Sequence, residues 1–324
     1  MTKSLTDITL CISKELQDFE NRFSQCLSDN EDKALNAVLR YAFGMKGKRV
    51  RPMLAMLVAG ALGKITEQTM RGALIVELLH TASLLHDDVL DNSSKRRDQE
   101  TINSIWGNHV AILTGDYLYG RALSLIKTQE DFNLMPVYAK IAMDLPKGEM
   151  SEVQATNNTD TSITTYLKVI YDKTASLIET AVLTGILSCQ GDLSQEDNIR
   201  ELGKSIGIAF QIKDDMLDYS ENTGKKAGID IQEKKITLPL IYYMEQSSEE
   251  ERERILEFIY SDSKTETEIE EFVRKVANSG AMLKVEEVLK EHSQKALDIL
   301  GNLPKNQYTE ALFDLVQYLI FRNK

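Results

Sequence analysis

The chain has 324 residues, 27% of them charged, with a net charge of −12, five prolines and 17 glycines. That acidic balance argues against nucleic acid or an anionic membrane surface as the main partner. No stretch reaches the roughly 18 continuous apolar residues of a membrane span, and Met1 to Ile8 carry no apolar signal core. Cys11, Cys26 and Cys189 are odd in number and have no metal-ligand spacing, which predicts reduced, buried thiols in a cytoplasmic protein.

Residues 4–28 place Leu10, Ile12, Leu16, Phe19, Phe23 and Leu27 at helical spacing and read as an amphipathic opening helix without chemistry of its own. Then Lys46-Gly47-Lys48-Arg49-Val50-Arg51-Pro52 gathers four cations just before a helix from about Met53 to Leu62, with Pro52 suited to its first turn. A Gly-containing basic loop at a helix start favours bound anions, because backbone N–H groups, the helix dipole and the cations act together there.

The run Ala73 to Ser83 contains no proline and reads as a long, mostly buried helix that ends in His86-Asp87-Asp88-Val89-Leu90-Asp91. At about 100° per residue, Asp87 and Asp91 fall within about 40° of each other, with His80 and Leu84 below them on the same face. Two carboxylates one turn apart repel unless a cation sits between them. The polar loop that follows, Asn92 to Asp98, carries Lys95, Arg96 and Arg97, whose guanidinium forks suit phosphate oxygens.

Residues 102–127 are again helical, with Trp106 as packing, and so are 132–157, punctuated by Pro136 and Pro146 and carrying Glu149, Glu152 and Gln154. Ser162 is a candidate N-cap for a helix through Gln190. Within that helix Lys173, beside Thr174, is costly to bury without an anion.

A second acid cluster, Asp214-Asp215-Met216-Leu217-Asp218, closes the apolar run from Leu202 to Phe210 and repeats the first motif 127 residues later. Two acid pairs that each end a buried helix suggest facing walls of one cavity. Hard oxygen donors without a His/Cys cluster suit Mg2+, which bridges a few carboxylates to substrate phosphates. Glu221 to Asp230, then Lys234-Lys235-Ile236-Thr237-Leu238-Pro239, read as a mobile polar loop able to close on a phosphate. Residues 240–324 add about five helices and no second chemistry, and no Pro-rich linker divides the chain.

Together these motifs resemble the trans-isoprenyl diphosphate synthases, the head-to-tail polyprenyl synthetase family, densely from Lys46 to Pro239. The resemblance implies an all-α, single-domain helical bundle, residues 1–324, around a deep central cavity. It implies isopentenyl diphosphate on Lys48, Arg51, His80 and Arg97, and an allylic diphosphate on Arg96, Lys173, Thr174, Gln211, Lys225 and Lys235. Asp87, Asp91, Asp214 and Asp218 would hold about two or three Mg2+ ions, with Asp88 among the catalytic carboxylates and Asp230 in support. Lys46 and Asp98 depart from the family's usual glycines.

The chemistry so implied is ionisation of the allylic diphosphate, then attack on the cation by the isopentenyl double bond, with the departing diphosphate taking the proton. Ala82 and Ser83, a turn below the aspartates, are small and leave room for a product of roughly six to eight isoprene units. The resemblance also implies a homodimer, or a heteromer with a small subunit, and a product passed to a membrane. The alternatives are a catalytic subunit silent without that partner, a shorter-chain (geranylgeranyl) synthase, and a terpene cyclase, which would lack the second aspartate motif and the Lys48/Arg51 loop.

Overall fold

The computed structural model describes residues 3–28, 32–45, 47–96, 99–157, 162–220 and 227–321. Helix dominates throughout. In chain order the helices are α1 (Leu5–Ile8), α2 (Ser13–Cys26), α3 (Lys33–Gly44), α4 (Val50–Leu62), α5 (Glu67–Leu90), α6 (Ile102–Trp106), α7 (Asn108–Leu123), α8 (Gln129–Phe132) and α9 (Met135–Asn157). They continue with α10 (Ile163–Ile170), α11 (Ser176–Ser188), α12 (Glu196–Asp218), α13 (Ile229–Gln232), α14 (Leu238–Glu245), α15 (Glu249–Tyr260), α16 (Glu266–Ala277), α17 (Ala281–Gly301) and α18 (Gln307–Ile320). Among the described residues the strands are a single antiparallel pair, β1 (Lys95–Arg96) with β2 (Gln99–Glu100).

The chain forms two compact units. The first comprises Met1–Ala142, Leu177–Arg200 and Asn302–Asp314. Its centre is α5, which packs on α4 and α7. Both flanks of α5 are apolar because it is buried nearly all round, from Met70 to Leu85. Thr66 caps it at the start with a reciprocal hydrogen-bond pair to Thr69. Gly72 lets Thr184 and Tyr138 pack directly on its backbone, where a Cβ would lie 2.4 and 2.6 Å from them.

The second unit comprises Met143–Ser176, Glu201–Gly301 and Leu315–Lys324. Part of its apolar core is Tyr219, Ile231, Leu240, Met244, Ile255, Ile259, Ile269, Val273 and Val276. Helix α9 passes from the first unit to the second between Ala142 and Met143, four residues before Pro146, whose missing N–H leaves the Ala142 carbonyl without its helical donor.

The structure breaks several helices that periodicity reads as continuous. The opening helix is interrupted at Thr9 and by a 3₁₀ turn over Leu10–Ile12. It also has a part in the site, since α2 supplies Glu20 and Phe23. The helix over 102–127 is cut at Gly107, whose φ of 88° belongs to the left-handed region that glycine tolerates. The helix after Ser162 ends at Ser188 and contains one turn of π-helix, Tyr171–Ala175.

Candidate functional site

In the first unit α5 carries the first aspartate motif to its end. Asp91 is the C-cap, Asp87 is half-buried and Asp88 is buried. Burial pushes the Asp88 carboxyl up, while Arg96 at 2.7 Å pulls it back. The hairpin β1–β2 presents Arg96. Arg97 and Asp98 lie outside the described residues, as does Lys46.

A shallow cleft of about 500 Å³, counting its open mouth, lies beside this helix, lined among others by Phe23, Arg49, Glu77, His80, Leu84 and Asp88. His80 therefore stands in the cleft wall, which it shares with the carboxylates of Glu77 and Asp88. Ala82, by contrast, is fully buried, and the half-buried Ser83 hydroxyl donates to the His80 carbonyl at 3.0 Å.

The basic loop before α4 turns on a residue the sequence analysis left without a role. Arg49 is the N-cap, with φ 54° and ψ 35° in the left-handed region. Its Nε donates to Glu20 at 2.8 Å, its Nη1 to Glu77 at 2.9 Å, and its guanidinium stacks 4.6 Å from the Phe23 centroid. Glu77 is itself buried. One cation thus ties the loop to α2 and α5, leaving Lys48 exposed and Arg51 half-buried on either side. The signal for Arg49 was present as a glutamate, Glu77, inside an apolar helix, which a buried fold must pair.

In the second unit a cleft of about 800 Å³, counting its open mouth, gathers several of the other predicted residues. Its walls include Glu152, Tyr166, Lys173, Thr174, Gln211, Asp215, Asp230 and Lys235. Lys173 and Thr174 lie on the π turn, a local widening of the helix that recurs at functional sites. Glycines on the flanking helices touch that turn. A Cβ on Gly148 would lie 2.8 Å from the Lys173 nitrogen, and one on Gly207 would lie 2.3 Å from the Ala175 Cα. Gly148→Ala is accordingly expected to force the backbones apart and cost about 1–3 kcal/mol, read by thermal unfolding; an unchanged midpoint would show that α9 and the π turn do not touch.

Lys173 Nζ donates to Glu149 at 3.0 Å and Glu152 at 2.7 Å. Burial lowers its pKa, but Glu152 and Glu149 more than reverse that, so the ammonium stays charged. Helical alternation alone allowed these acids to face solvent; in the structure both are half-buried, whereas Gln154 is exposed. Lys235 pairs with Glu233 at 2.6 Å. Lys225, with residues 221–226, lies outside the described residues.

The second aspartate motif closes α12. Asp215 is buried and pushed up to about 7, first by burial. The Asp218 oxygens each accept one backbone N–H, from Ile229 and Asp230, both at 3.1 Å. Burial also raises Asp218, and raises Asp230 with Asp215 and Asp218 adding to it. Close carboxylates that resist ionisation are stabilised by a divalent cation.

The donor set fits such an ion. Among the described residues no three His, Cys, Asp or Glu side chains converge on one point. Mg2+ typically takes one or two carboxylates and completes its shell with waters and substrate phosphates. Asp87 with Asp91, and Asp214 with Asp218, offer hard oxygens of that kind; each Asp218 oxygen keeps a lone pair beyond its backbone bond.

Residues 32–276 match the sequence model of the polyprenyl synthetase family. The chain is 37% identical to octaprenyl diphosphate synthase of Haemophilus influenzae over 280 residues, covering 86% of this chain and 85% of that one. It is 34% identical to the all-trans-nonaprenyl-diphosphate synthase (geranyl-diphosphate specific) of Rhodobacter capsulatus, covering 88% of each. The solved decaprenyl diphosphate synthase from Rhodobacter capsulatus superposes with a TM-score of 0.93 at 28% identity, covering 99% of this chain and 100% of that one. A Caulobacter crescentus polyprenyl synthase, solved with calcium and isoprenyl diphosphate, gives 0.91 at 28% identity, covering 100% and 99%. On its motifs, its helical fold and these likenesses, the chain belongs to the polyprenyl synthetase family.

Proposed function

We propose that the protein is a polyprenyl diphosphate synthase of the medium- to long-chain kind, which condenses an allylic diphosphate with successive isopentenyl diphosphates, head to tail and all-trans. The observation that carries this is the cleft of the second unit, where a half-buried lysine, a hydroxyl and raised carboxylates stand together on a π turn and an aspartate motif. Such a site attracts a metal-bound diphosphate. Residues 1–324 are assigned to a single synthase domain, in keeping with one family model that runs over residues 32–276.

Lys173, Lys235 and Arg96 neutralise the allylic diphosphate as its carbon–oxygen bond breaks, with Lys225 joining them, and Thr174 and Gln211 line the same cleft. Lys48, Arg51, His80 and Arg97 hold isopentenyl diphosphate so that its double bond meets the allylic cation. Asp87, Asp91, Asp214 and Asp218 would hold about two or three Mg2+ ions, with Asp88 among the catalytic carboxylates and Asp230 in support, and the metal would supply Lewis-acid stabilisation of the leaving group.

The product is set at roughly six to eight isoprene units by the small residues a turn below Asp87 on α5, and the octaprenyl relative supports the upper end of that range. Ala82→Tyr is expected to shorten the product, with chain length read by chromatography; an unchanged ladder would place the floor elsewhere. A homodimer is supported by Ile112, Leu113 and Leu123, exposed large apolar residues along α7. A cytoplasmic setting fits the three free thiols.

The test is direct. The purified chain, Mg2+, farnesyl diphosphate and labelled isopentenyl diphosphate should yield a ladder of polyprenyl diphosphates. No product from the chain alone, but a ladder on adding a small subunit from the source lysate, would mark it as one half of a heteromeric synthase. Silence in both would refute the assignment.

A further inference from the structure

One buried side chain in the second unit's cleft has no part in the chemistry above. Tyr166, on α10, is 6% exposed and donates its phenol proton to Asp215 Oδ2 at 2.6 Å. The other Asp215 oxygen, Oδ1, accepts from Gln211 Nε2 at 2.8 Å. Gln211 Oε1 in turn accepts from Thr174 Oγ1 at 2.9 Å.

Donor and acceptor roles along this chain follow from the contacts. The Gln211 amide turns its NH2 toward Asp215 Oδ1. Its oxygen then faces Thr174, and the single Thr174 proton goes to it. Thr174 therefore gives its one proton to Gln211 and turns its lone pairs to the cleft. With the phenol removed, Asp215 Oδ2 loses its donor, and a buried carboxylate short of donors draws new ones from its neighbours. Gln211 and Thr174 would then no longer have one enforced orientation.

We infer that Tyr166 is a positioning residue for the allylic half of the reaction: through Asp215 and Gln211 it fixes the orientation with which the Thr174 hydroxyl meets the substrate. This rests on the assignment of the cleft to the allylic diphosphate. It also makes Asp215 the hub of a hydrogen-bond relay, in distinction from Asp214 and Asp218.

The test uses the full chain with Mg2+. Tyr166→Phe keeps the ring and removes only the hydroxyl. It is expected to lower kcat for the first condensation about tenfold, the worth of roughly one oriented hydrogen bond, with KM for both substrates nearly unchanged. In a Thr174→Val background the same change should have no further effect on kcat, because its route is already cut. A kcat close to that of the parent, or losses that multiply in the double variant, would overturn the inference.

If Tyr166→Phe does not fold, Asp215→Asn decides. It should lower kcat while leaving the Mg2+ concentration for half-activation where it was; a raised half-activation point with kcat restored at saturating Mg2+ would make Asp215 a metal ligand and defeat the relay. An inactive parent protein would instead overturn the functional assignment on which the role of Tyr166 depends.

Discussion

Replacement of Asp87 by Ala is expected to lower turnover by about three orders of magnitude, the rate equivalent of several kcal/mol of lost metal-borne charge stabilisation. The fold should survive. Asp87 is half-buried in the last turn of α5, outside the apolar stretch from Met70 to Leu85 that anchors the helix. Substitutions at such positions usually change stability by about half a kcal/mol or less. Circular dichroism and thermal unfolding beside the condensation assay separate the two effects. Near-normal turnover with an intact fold would remove Asp87 from the metal site.

The second large effect is on stability. Arg49→Met keeps an apolar stem against Phe23 but leaves Glu77 buried without its cation, a change that typically costs about 3–5 kcal/mol. Urea unfolding should show it as a fall in midpoint. Adding Glu77→Gln removes the stranded charge, so the double variant should regain part of the loss. The loop that presents Lys48 and Arg51 also loses its anchor, so KM for isopentenyl diphosphate should rise in the single variant. An Arg49→Met protein as stable as the parent would show that the Arg49–Glu77 pair contributes nothing net.

Both predictions rest on residues whose visibility in the sequence differs. Asp87 stands in a repeated acidic motif whose spacing carries its own chemistry, since two carboxylates one helical turn apart ask for a cation. Arg49 looks like one cation among four in Lys46 to Arg51, and only the packing of α2 and α5 beside the loop singles it out. The same holds for Glu149 and Glu152. Their spacing of three puts them on one helix face but does not say which face, and the answer came from Lys173 on a helix that packs against α9 through Gly148.

Helix as the fold class followed from local features that need no partner: few prolines, apolar residues at a period near 3.6, and caps such as Ser162 and Ser248, both of which accept from a backbone N–H in the first turn of their helices. The two aspartate motifs stood out for a similar reason, because acid clusters at the ends of apolar helices repel without a cation; the roles of the basic residues came from the family resemblance. What the sequence could not contain was the outcome of competition between elements. The π turn at Tyr171–Ala175 has no local signature and lies where Gly148 and Gly207 bring two neighbouring helix backbones against it. The Tyr166–Asp215–Gln211–Thr174 relay joins residues as far as 49 positions apart in the chain, so no spacing rule could pair them. Sequence determined where the charged motifs and the helices that carry them lie, because charge and periodicity are local properties. Tertiary structure decided which of them are anchored, paired and aimed, because burial and hydrogen-bond satisfaction exist only after the helices have packed.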